Sequence, residues 1–79
     1  MALSIEVADE TLARAICREL LGLCVVDLHA IDTGWEIRLE SSAPLNLVLG
    51  AVREALRGRP TESVKVTLDG RVHVLEGEA

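Results

Sequence analysis

Phenylalanine, tyrosine and glutamine are missing from this chain, and tryptophan, lysine and asparagine occur once each. Without a set of aromatic rings there is no platform on which single-stranded nucleic-acid bases stack. Cationic excess is missing too: the net charge is −5, and the basic residues are scattered instead of forming a stripe. Both facts argue against a nucleic-acid partner. No apolar run approaches the roughly 20 residues of a membrane span, and the start lacks the basic, then apolar, pattern of a signal peptide. Only two cysteines are present, and they form no Cys-x-x-Cys. Cys17 falls in a predicted helix and Cys24 in the next predicted strand, so both are expected to be reduced thiols in a cytoplasmic protein. Phosphate-cradling glycine loops, nucleophile elbows and zinc-ligand spacings do not occur, which leaves no catalytic motif and no cofactor to expect. Arginine outnumbers lysine seven to one and amides are scarce, a composition compatible with a thermophilic source.

What is present is a globular composition, 49% hydrophobic and 27% charged over 79 residues, expected to form one small α+β domain over 1–79. A core of this size rarely supplies more than about 3–5 kcal/mol, so association with another chain is a natural staple. Leu3, Ile5 and Val7 alternate with polar residues as in a half-buried strand. Asp9 is placed to cap a helix whose buried stripe is Leu12, Ala13, Ile16, Cys17 and Leu20, with Gly22 as its left-handed stop. Residues 23–31 and 35–41 read as a hairpin. A second helix starts with Pro44 in its first turn, buries Leu45, Val48, Leu49, Val52, Ala55 and Leu56, and ends at Gly58. A last hairpin covers 63–68 and 71–76. The order resembles the ferredoxin-like βαββαβ sandwich with an appended C-terminal strand. That resemblance implies two helices on one face of an antiparallel-rich sheet ordered 2-3-1-4-5. Families that share the order carry signatures missing here. Heavy-metal-associated domains have a Cys-x-x-Cys where this chain has "VADET", and acylphosphatase-like proteins have a glycine-rich loop with an arginine.

Register follows from facing residues sharing a face. An even loop around Thr33-Gly34 pairs Leu28 with Leu39 and Ala30 with Ile37, and keeps Asp27 and His29 out of the core. In the last hairpin, a three-residue loop Leu68-Asp69-Gly70 pairs Val66 with Val72 and Val64 with Val74, matching valine to valine. Trp35 then shares the covered face with Ile37 and Leu39 and is expected to plug the end of the core.

The opposite, open face collects Asp27, His29, Arg38, Glu40 and His73. A metal or acid–base site there fails on geometry, because His29 and His73 lie on opposite edge strands, roughly 19 Å apart. Asp27 facing Glu40 is a like-charge pair and tempts a catalytic reading with His29. Apolar residues in polar places are more telling. Val25, Ile31 and Leu75 are assigned to the open face, and Leu47 and Leu21 lie off the buried helix stripes. The leading expectation is a non-catalytic protein-interaction or oligomerisation domain, a homodimer through the open face or the Val25/Ile31 edge, with Arg38 pairing with Glu36 or Glu40 across the axis. An unidentified protein partner is the other form of that reading. A ligand-sensing regulatory module is the runner-up, and an enzyme using His29 with Asp27 or Glu40 the third. Edge pairing is expected to bring two His29 side chains together and so to weaken below about pH 6.

Overall fold

Alternation and helical spacing produce seven elements in the computed structural model, which describes residues 2–40 and 43–78. They are β1 (Ala2–Val7), α1 (Glu10–Leu20), β2 (Val25–Ile31), β3 (Gly34–Glu40), α2 (Leu45–Leu56), β4 (Ser63–Leu68) and β5 (Arg71–Glu76). Residue 41, the expected end of the third strand, lies outside the described residues. The strands run antiparallel to their neighbours in the order β2-β3-β1-β4-β5. With both helices packed on one face, this is the ferredoxin-like sandwich plus one C-terminal strand.

β1 is central, and its three apolar residues set the layers of the core. Leu3 lies between Leu39 and Leu68, Ile5 between Ile37 and Val66, and Val7 between Trp35 and Val64. Leu12, Ile16 and Leu20 of α1 and Val48, Val52 and Leu56 of α2 close over them, all fully buried. Trp35 is only partly buried, packed against the edge of this cluster. The ring covers one end of the core and keeps some contact with water.

Helix boundaries follow local chemistry. Asp9, extended at φ −110°, accepts a bond from the Leu12 amide at 3.0 Å, satisfying a donor the helix start leaves free. The other end departs from expectation: Gly22 is not left-handed. α1 instead closes in tight turns, the Leu23 and Cys24 amides both donating to the Leu20 carbonyl at 2.9 and 3.0 Å. These bonds satisfy the terminal carbonyl without a positive φ. Pro44 sits at the N-cap of α2, just before the first turn. Past α2, Gly58 takes φ +75°, and its amide and that of Arg59 donate to the Glu78 carbonyl at 2.7 and 3.1 Å. Gly77 donates to the Glu62 carbonyl at 2.7 Å. A Cβ on Gly77 would collide with the Arg59 carbonyl, so glycine alone lets this terminal strap lie flat.

The two hairpins differ from the expected registers in instructive ways. In the first, Ile31 pairs with Gly34 across Asp32-Thr33, Leu28 faces Ile37 and Ala30 faces Trp35. The pairing is two residues away from Leu28–Leu39, and two is the strand period, so every side chain keeps its expected face. In the second, Asp69 and Gly70 form a two-residue turn with φ of +51° and +77°, as a primed hairpin turn demands. Val66 therefore faces His73 and Val64 faces Leu75. The expected three-residue loop is off by one residue, which reverses the faces of β5. Leu75 points to the helix side and packs on the core, while Val72 and Val74 are left on the open face. The turn chemistry of Asp-Gly outweighs valine matching because β5 is an outer edge where Leu75 supplies the core contact.

Candidate interaction surface

The open face is laid out in rows across the sheet. One row runs His29, Glu36, Glu6, Lys65, Val74, and the next runs Asp27, Arg38, Ser4, Thr67, Val72. Alternation places these side chains away from the helices, because their neighbours along each strand fill the core. Asp27 therefore faces Arg38, not Glu40, and His29 faces Glu36. Glu40 faces Val25 and Ala2. The Asp27–Glu40 pair that tempted an acid–base reading does not exist: Asp27 faces the opposite charge of Arg38, and the facing carboxylates are Glu6 and Glu36. Arg38 also donates through Nε to Glu36 Oε1 on its own strand.

His73 is on the helix side of β5, so the two histidines are separated by both edge and face. Among the described residues no group of three or more His, Cys, Asp or Glu side chains is arranged to hold a metal ion. No buried side-chain nitrogen or oxygen among them lacks a hydrogen-bond partner. Burial pushes the Cys17 thiol up, against the opposing pull of Arg14. Cys17 and Cys24 are both free and half-buried.

Apolar exposure is what distinguishes this surface. Val25 is 75% exposed, Val72 57% and Val74 56%. Val25 stands at one edge of the open face and the other two at the opposite edge, with Ile31 half-exposed at the far end of β2. Leu21 at 68% and Leu47 at 49% project from the helical layer, as their places off the buried stripes imply. Val72 and Val74 are the residues that valine matching concealed; the Asp69-Gly70 dipeptide was the signal that reveals them. Between the edges lies an open depression of about 610 Å³, whose lining includes Ser4, Asp27, Glu36, Arg38, Glu40 and Thr67.

The fold and surface define a small globular domain of the ferredoxin-like class, without evident catalytic or metal-binding features among the described residues. Compared with protein-family models, curated proteins and solved structures, the chain matches none. No helix among the described residues is long and apolar enough to cross a membrane.

Proposed function

We propose that the protein is a non-catalytic cytoplasmic domain that works through protein contacts, and that its partner is a second copy of itself. The observation that carries this reading is the exposure of Val25 on the outer strand β2, with half-exposed Ile31 at the far end of the same open-face row. Association covers such residues and adds stability by mass action to a fold with a thin core. Unpaired thiols at Cys17 and Cys24 suit a reducing compartment.

A second reading, a ligand-sensing module, is favoured by the depression beside Arg38 and Thr67. Against it, the segment after β1, "VADET", has no glycine with which to wrap a small molecule. Sedimentation equilibrium at micromolar concentration separates the readings, with a dimer expected. A chain that stays monomeric through the high micromolar range refutes self-association.

A further inference from the structure

Resting on that self-association, we infer that the second copy docks along the free edge of β2, antiparallel and centred on Leu28, so that Asp27 of each copy faces His29 of the other. β2 is an outer strand, and an unpaired edge is a template for another strand. In a symmetric edge pair, facing residues share a sheet face, so only registers that match residues of one face are open. The open-face set of β2 is Val25, Asp27, His29 and Ile31, and the helix-side set is Val26, Leu28 and Ala30.

Centring the two-fold on Asp27 or on His29 sets like against like. Centring it on Leu28 uses the whole strand: Val25 meets Ile31 and Asp27 meets His29, each twice. On the helix side Val26 meets Ala30, and Leu28 meets its own copy. The most exposed valine of the chain is then covered by an isoleucine.

Neither alternative surface is as self-complementary. On β5, Arg71 and His73 share one face and Glu76 lies on the other, so no symmetric register sets opposite charges facing. Stacking open face on open face buries two sets of Glu6, Asp27, Glu36, Glu40 and Glu76 in one interface, with Arg38 and Lys65 as the offsetting cations.

The register also fixes a pH dependence. Within the chain His29 faces Glu36, with Arg38 on the diagonal of β3 and Asp27 two residues away on its own strand. From the second copy it faces Asp27, with Val25 and the other His29 on the diagonals, about 7–8 Å away. Docking therefore adds a directly facing carboxylate to the imidazole, and the nearest added like charge is diagonal. The dimer holds a proton on His29 more tightly than the monomer does, so association strengthens as pH falls from about 8 to about 6. That sign is opposite to the weakening expected if two His29 side chains met.

Sedimentation equilibrium of the full chain tests this, with circular dichroism confirming that each variant folds. The wild-type Kd is expected to fall about three- to tenfold between about pH 8 and about pH 6. His29→Lys, which keeps its charge throughout and still faces Glu36, is expected to dimerise tightly at both values with the pH effect gone. Asp27→Asn is expected to weaken association and abolish the pH effect. Val72→Thr with Val74→Thr is expected to change nothing. A monomeric wild type overturns this inference together with the self-association beneath it. A dimer whose Kd ignores pH and His29→Lys, or one that dissociates on the Val72/Val74 change, overturns the β2 register and leaves self-association standing.

Discussion

Gly34→Ala is the substitution whose cost the structure specifies most closely. Gly34 closes the β2–β3 turn opposite Ile31 with φ +142°, a region sparsely open to residues with a Cβ, where strain costs about 1–3 kcal/mol. Steric overlap adds to it. A Cβ on Gly34 would collide with the Val7 carbonyl oxygen and lie 2.8 Å from the Ala8 Cα. Both obstacles are backbone, so relief requires moving the end of the central strand, at about 1–3 kcal/mol more. The sum, about 2–6 kcal/mol, rivals what a core of this size supplies, and the variant is expected to be largely unfolded at room temperature. Urea titration followed by far-ultraviolet circular dichroism and Trp35 fluorescence reads the loss. Gly70→Ala provides the comparison, since Gly70 also has positive φ but open space around it; it should cost only the backbone penalty of about 1–2 kcal/mol. Gly50→Ala, in the exposed middle of α2 with nothing within 4 Å, should gain about 0.5–1 kcal/mol. A Gly34→Ala protein as stable as Gly70→Ala would refute the argument that the collision with β1 matters.

Three further outcomes follow from particular side chains. Trp35→Ala should cost about 2–3 kcal/mol, below the range for a fully buried ring because Trp35 keeps part of its surface in water; native fluorescence already at the solvent-exposed wavelength would contradict its packing. Asp9→Ala should cost about 1 kcal/mol through the lost cap on the Leu12 amide, and an unchanged urea midpoint would show that bond to be unimportant. The Cys17 thiol, pushed up by burial, should alkylate near neutral pH more slowly than a free cysteine peptide and speed up as the medium is made more alkaline. A faster rate than the free peptide would reverse the assignment.

Strand order was legible because it depends on signals spanning several residues. The alternation of Leu3, Ile5 and Val7, and the helical spacing of Leu12, Ile16 and Leu20, repeat often enough to survive a misplaced boundary. The face of Trp35 was legible for a related reason: a two-residue shift in register leaves it unchanged. β5 was not, since a single residue in the Asp69-Gly70 turn decides which way Val72 and Val74 point. Valine matching assumed that both faces of β5 compete for the same core, whereas an edge strand gains little from burying one more pair. The end of α1 was misread because Gly22 is a familiar stop signal, while the bonds that end the helix come from the amides of Leu23 and Cys24. At the surface, alternation placed Val25, Ile31 and Arg38 on the open face, where the strands carry them. Asp27 was matched with Glu40 because side-chain charge does not reveal where a turn closes.

The central position of β1 also governs the order in which the fold can be assembled. Its two neighbours, β3 and β4, both follow it in the chain, one after α1 and β2, the other only after α2 as well. During synthesis β1, α1, β2 and β3 can gather into a three-stranded sheet, but the second edge of β1 stays open until β4 is made. Contacts this distant in sequence slow folding, and an open apolar strand is the point at which nascent chains stick to one another. Ser4 and Glu6, which alternate with the buried residues of β1, keep one face of that waiting strand polar while its edge is open. The same residues that look like an ordinary solvated face in the finished protein thus guard the chain while it is incomplete.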